Sequence, residues 1–202
     1  MQATEIFDFG PFPTLMTERL VLRELTPADL AGILVLWGDP EVQRYNGRLL
    51  VDLGEAQTVI AELQACYAAR MQIAWAVTLR ERVGVLGVVD FHDWDRRHRR
   101  AEIGYSLARA AWGQGIASEA VQAVIGFGFT RMQLHRIEAL TIVDNLRSVR
   151  LLERFGFRRE GTRRECSLED DGAYHDSAIY GLLEQDAAGL PGSDFRTRRD
   201  DK

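Results

Sequence analysis

The sequence predicts an α/β fold, a mixed and mostly antiparallel sheet of about seven strands with about four helices on its two faces. Three observations carry this. Strand-like and helix-like runs alternate toward both ends of the chain. In the middle, three strand-like runs follow one another across short polar turns, as in an antiparallel meander. The last two runs are joined by Glu169-Asp170-Asp171-Gly172, a hairpin turn.

The first strand is Leu20–Leu25. Thr26-Pro27-Ala28-Asp29 then opens a helix, with Thr26 as cap, Pro27 in the first turn and Asp29 at the positive end. Leu30, Ile33, Leu34 and Trp37 form its apolar stripe, and Gly38-Asp39-Pro40 ends it. A second helix, Gly54–Arg70, gathers Ala56, Val59, Ile60, Leu63 and Tyr67 on one face. The meander strands are Ile73–Leu79, Val83–His92 and Arg100–Leu107. After a glycine turn at Trp112–Gly115, a third helix is striped by Ala117, Ala120, Val121, Val124 and Ile125. Strand Arg136–Ile142, a helix from about Asn145 to Phe155, and strands Phe157–Leu168 and Ala173–Leu183 complete the order.

A length of 202 residues suits a single domain. The phenylalanine- and proline-bearing residues 1–14 read as an extended arm, 15–185 as the domain, and 186–202 as a disordered tail. The chain is 46% hydrophobic with a formal charge of -5, which supports an ordinary core and argues against nucleic-acid binding. Cys66 and Cys166 are too few for a disulfide framework or a multi-cysteine zinc site, and no metal is expected. No apolar run approaches the ~18 residues of a membrane span. The start of the chain, with Glu5 and Asp8, lacks the basic opening of a signal peptide, so a cytoplasmic protein is expected.

The segment Trp112-Gly113-Gln114-Gly115-Ile116-Ala117 joins a strand to a helix. Two glycines let backbone N–H groups converge, and the helix start adds its unpaired amides, which together suit a pyrophosphate. A plain tight turn has the same pattern. The segment is not a Walker loop, and it lacks the third glycine and the βαβ setting of a dinucleotide fingerprint.

Further motifs accompany the turn: Thr17–Arg23, Ala101-Glu102-Ile103-Gly104-Tyr105, Asn145 through Phe157, and Asp171-Gly172-Ala173-Tyr174-His175-Asp176. With them, residues 15–184 resemble the GNAT superfamily of acyl-CoA-dependent N-acyltransferases, most closely its RimJ/RimL-type branch. The resemblance implies acetyl-CoA as donor, its pyrophosphate on the backbone of Gly113–Ala117, and its pantetheine arm between two diverging strands. Where the superfamily often has Gln or Arg, this chain has Trp112. A strand-end N–H at Tyr105, Ser106 or Leu107 would polarise the thioester carbonyl.

Acetyl transfer to an amine needs a neutral amine, a donor to the developing oxyanion and a proton for the departing thiolate. Glu102 shares a strand face with Gly104 and Ser106 and is the first choice of base; pairing with an arginine of Arg96–Arg100 is the structural alternative. Asp90 and His92 are second choices. The superfamily's frequent acid, a tyrosine, is replaced by Leu152; Ser148 lies one helical turn before it on the same face, and the resemblance to RimL-type enzymes makes its hydroxyl the expected catalytic acid. Asn145 reads as the helix cap and as a contact to the CoA arm. By resemblance, the strand carrying Tyr174 and Asp176 walls the acceptor pocket with His92.

Neutralising an α-amine at pH 7 costs about 1 kcal/mol, against about 4.6 kcal/mol for a lysine. That difference favours an α-amine, and the RimJ/RimL likeness implies a protein N-terminus as partner. A small-molecule amine and a non-catalytic acyl-CoA-binding module are the alternatives, and both monomer and homodimer remain open.

Overall fold

The computed structural model describes residues 7–187 except 48, 83, 170 and 171. Most of the expected tail and the centre of the expected hairpin turn therefore lie outside the described residues. Eight strands form one sheet: β1 (Leu15–Met16), β2 (Leu20–Arg23), β3 (Ile73–Leu79), β4 (Val85–Asp95), β5 (Arg100–Leu107), β6 (Arg136–Ile142), β7 (Arg158–Leu168) and β8 (Tyr174–Leu183). Their spatial order is β1-β2-β3-β4-β5-β6-β8-β7. Only β5 and β6 pair in parallel. Six α-helices are described: α1 (Leu30–Trp37), α2 (Pro40–Gln43), α3 (Leu53–Ala68), α4 (Ile116–Thr130), α5 (Leu146–Arg154) and α6 (Glu184–Ala187).

The sheet's two faces carry different side chains because β3 alternates. Trp75 and Val77 pack into one core with α4, whereas Ala74 and Ala76 pack into a second core with Ile33 of α1 and Ile60 of α3. Small residues on that second face let α1 and α3 lie close to the sheet. Phe7, Phe9 and Phe12 of the expected arm are bound in: Phe7 meets Phe127, Phe9 meets Tyr67, and the Pro13 carbonyl accepts the Trp75 indole N–H.

α6 takes in Asp186 and Ala187 of the expected tail; three other short elements depart from the expected list, each for a local reason. β1 forms because Leu15 and Met16 find register partners in Leu22 and Val21. Gly38-Asp39-Pro40 ends α1 as expected but also starts α2, since Asp39 caps the Glu41 N–H and Pro40 occupies the first turn. Thr26-Pro27-Ala28-Asp29 opens α1 through a single 3-10 turn. Asp29 faces inward there, and Arg23 holds it.

Candidate active site

β5 and β6 pair only from Arg100 to Glu102, opposite Arg136 to Glu138, and have no partners in each other beyond that. The strands thus part just after Glu102, and α4 begins just beyond the end of β5. Gly113 and Gly115 both adopt positive φ, +72° and +75°, and Gly115 caps α4. A Cβ on Gly113 would meet nothing within 4 Å, so that backbone stays bare on its outer side. The first amides of α4 have no acceptor within their own helix. They border a groove of about 670 Å³, a size typical of cofactor sites.

The turn is braced from the far end of the sheet. Arg19 donates to the Gln114 carbonyl at 3.0 Å and to Glu119 of α4 at 2.6 Å, while Thr17 donates to the same carboxylate. This accounts for Thr17-Glu18-Arg19 as a motif 100 residues away from the helix it serves. Trp112 donates its indole N–H to the Leu107 carbonyl, and the Arg147 guanidinium lies 4.0 Å above its ring. Trp112 is thereby held between β5 and α5, and Arg147 supplies positive charge from α5. Arg150 and Arg154 border the same groove.

A second cavity, of about 240 Å³, adjoins the groove and holds His92, Glu102, Ser167 and Ser177. His92 and Glu102 stand directly opposite across β4 and β5. The His92 ring sits between two carboxylates, with Nδ1 2.8 Å from Asp90 and Nε2 3.6 Å from Glu102. Asp90 accepts a further hydrogen bond from Gln72. The Asp90 hydrogen bond, then the Glu102 carboxylate, pushes the imidazole up to about 10 against its burial. His92 is therefore an imidazolium at neutral pH with no lone pair to act as base. Its attraction for Glu102 outweighs desolvation and holds that carboxyl below its ordinary value, helped by the Leu140 N–H. Glu102 thus pairs with His92, and the expected arginine partners are engaged elsewhere. Arg96 binds Asp8 and stacks on Trp94, and Arg100 binds Glu138.

Gly104 makes this cluster possible. It lies opposite Asp90, and a Cβ there would come 2.6 Å from an Asp90 oxygen. Gly104→Ala is expected to drive Asp90 off His92 and return the imidazole titration toward 6.5, read by NMR of the ring protons. The sign is fixed by linkage. A raised histidine value gives stability that is complete below 6.5 and lost as pH climbs through about 10. The variant should lose that pH dependence, and an unchanged titration would disprove the arrangement.

Tyr105, Asn145 and Ser148 border both cavities. The Asn145 side chain accepts the Ser148 N–H at 3.2 Å and so caps α5. The Ser148 hydroxyl lies 2.8 Å from the Tyr105 hydroxyl. Leu152 is 1% exposed and belongs to the core. Of the remaining expected site residues, Ser106, Leu107, Trp112, Gly113, Gly115, Ile116 and Ala117 border the groove. Gln114 does not: its side chain donates to the Ala110 carbonyl. Ser106 turns its hydroxyl to the Trp37 indole. Tyr174 is 64% exposed and Asp176 caps the Glu165 N–H, so neither borders these cavities; their neighbour Ser177 does. The sequence pointed to the Tyr105 backbone and not to its phenol, which the structure brings to the Ser148 hydroxyl. Its one legible signal was that Tyr105 falls where β5 must part from β6.

A groove with bare amides thus meets a pocket holding the Glu102–His92 pair at a strand fork, and comparison with known proteins bears on what such a site does. The family described as acetyltransferase (GNAT) domain matches residues 19–158. The uncharacterized N-acetyltransferase YoaA of Bacillus subtilis (strain 168) is 35% identical over 173 residues, 85% of this chain and 97% of that protein. The chain belongs to the GNAT family of N-acetyltransferases. The ribosomal-protein-serine acetyltransferase of Escherichia coli (strain K12) is 35% identical over 99 residues, 49% of this chain and 55% of that protein. The solved RimL ribosomal L7/L12 alpha-N-protein acetyltransferase in complex with coenzyme A superposes with a TM-score of 0.78 at 22% identity. That superposition covers 87% of this chain and 99% of that one, and is a likeness of fold. Among the described residues, no helix is long and apolar enough to cross a membrane.

Proposed function

We propose that this N-acetyltransferase moves an acetyl group from acetyl-CoA to a protein N-terminal α-amine by direct attack in a ternary complex. The observation that carries the reading is that two cavities, one basic with bare amides and one holding the Glu102–His92 pair, meet at Tyr105 and Ser148. The amides of Gly113–Ala117 would hold the pyrophosphate, with Arg147, Arg150 and Arg154 as the cationic wall. Acetyl-CoA supplies a thioester, whose carbonyl would sit in the fork between β5 and β6.

Glu102 would receive the amine. Its carboxylate attracts an ammonium and aligns the nitrogen, which is neutral in a useful fraction when the group is an α-amine of pKa about 7.8. A carboxylate held below its ordinary value is a weak base toward a free ammonium. Once the nitrogen begins to bond to carbon, however, its proton becomes far more acidic, and Glu102 can take it. His92, a fixed cation, keeps Glu102 ionised and oriented. The acceptor pocket's small volume suits the first residue of a chain entering end-on, and relatives named for ribosomal-protein substrates support that choice.

Calorimetry with the full chain should detect coenzyme A and no binding of ATP or NAD. Thiol release from acetyl-CoA should then depend on the amine, fastest with pentapeptides bearing a free N-terminal Ser or Ala. Faster release with small polyamines or amino acids would reassign the acceptor. Tight binding with no amine-dependent release would leave a non-catalytic acyl-CoA-binding module.

A further inference from the structure

We propose that the Tyr105 hydroxyl is the proton donor to the departing thiolate, and that Ser148 is a positioning residue acting through it. The inference rests on the reading of the two cavities as donor and acceptor sites.

Tyr105 lies three residues beyond the last β5–β6 pair, so it stands in the fork itself. Its hydroxyl is 2.8 Å from the Ser148 hydroxyl, and both residues border both cavities. The Ser148 carbonyl, at 3.5 Å, is a poor competing acceptor. Ser148 is nearly buried and its backbone is pinned by Asn145. Leu152, one turn further along α5, offers no proton.

Acidity decides between the two hydroxyls. An alcohol resembles water and is a far weaker acid than a thiol, so passing its proton to a thiolate of about 8.5 is strongly unfavourable. An ordinary phenol of about 10 faces a gap of less than about two powers of ten. Burial pushes Tyr105 up to about 12, partly offset by the Ser148 hydrogen bond, and Tyr180 is the other phenol in electrostatic range. Tyr105 remains the stronger acid and stays protonated at neutral pH. If Ser148 donates to the tyrosine oxygen, the phenol's own hydrogen is free to face the sulfur, and the phenolate formed is stabilised where it stands.

The step balances. The amine nitrogen bonds to the carbonyl carbon as the carbon–sulfur bond breaks. Sulfur leaves with the electron pair and takes the Tyr105 proton. The amine's surplus proton leaves by way of Glu102, and the phenolate is reprotonated from solvent.

The test uses the full chain, acetyl-CoA and the Ser- and Ala-initiated pentapeptides. Tyr105→Phe should lower kcat by about 100- to 1000-fold, with acetyl-CoA affinity by calorimetry within about twofold of wild type. Ser148→Ala should lower kcat by about 10- to 100-fold, the loss of one hydrogen bond to a charged group, and Ser148→Thr should recover most of it. Independently of turnover, 3,5-difluorotyrosine placed at position 105 should titrate by 19F NMR at a higher pH when Ser148 is alanine. A Tyr105→Phe enzyme with more than half of wild-type kcat overturns the proposal. So does a fluorophenol titration that ignores Ser148. A wild type that acetylates no peptide would refute the choice of acceptor, while the 19F titration would still decide the Tyr105–Ser148 coupling.

Discussion

Glu102→Gln lowers kcat/KM for an α-amine peptide by about 100- to 1000-fold, the range expected for loss of a positioned acid–base group. Acetyl-CoA affinity should hold within about twofold, because Glu102 borders the smaller cavity and not the groove. The amide is nearly isosteric, so the fold should persist, with the melting temperature as the control. The pH profile separates binding from proton transfer. Wild-type kcat/KM should climb with pH and level off near the amine's own pKa of about 7.8, with no inflection from His92 until about 10. Removing the Glu102 charge takes away the second-largest influence raising His92, so the imidazole should titrate lower in the variant. Acceptor turnover that survives the substitution at more than a tenth of the wild-type value would remove Glu102 from the reaction.

Arg23→Ala should produce the largest loss of stability. Arg23, at the end of β2, makes two hydrogen bonds of 2.8 and 2.7 Å to Asp29, whose side chain is 4% exposed. Burial drives the Asp29 carboxyl up, but Arg23 and the Thr26 N–H pull it down further, leaving it below its ordinary value. Without Arg23 the carboxylate stays buried with only Thr26 as partner. Arg23 is itself 32% exposed, which trims the cost below that of a fully buried pair. A loss of about 2–3 kcal/mol is expected, or roughly 4–12 °C in melting temperature. A carboxyl with a depressed value stabilises above the ordinary carboxylate range and loses that contribution as pH falls through its folded value. The difference between wild type and variant should therefore shrink in acid. Urea melts at neutral and acid pH would test this, and an equal difference at both would rule out the charge pair as its source.

Much of the architecture was legible in the residues because it depends on neighbours along the chain. The apolar stripe of α4, the run of β6 and the glycines before α4 are local patterns, and the structure reproduces β3, β5 and β6 with the expected bounds. Short elements escaped because their signals are weak by themselves. β1 has two residues and exists only through its register with β2. α2 has four, and the proline that starts it also reads as a stop for α1. The Gly-x-Gly turn and the Thr17–Arg23 motif each stood out, whereas the contact between them, Arg19 against Gln114 and Glu119, spans about a hundred residues and left no local trace.

The same division runs through the candidate site. Strand alternation pointed to Glu102 and local pattern to the glycine turn, while Ser148 was nominated by the family resemblance together with helical spacing from Leu152. Which partners these side chains meet was decided by the tertiary structure. Strand register puts His92 opposite Glu102 and Asp90 opposite Gly104, turning a candidate base into a held cation. The fork brings Tyr105 to Ser148 across 43 residues, and chain connectivity has no term for that distance. Periodicity acts over a few residues, while charge and hydrogen bonding act through space, so protonation states and proton paths became readable only once the sheet was assembled.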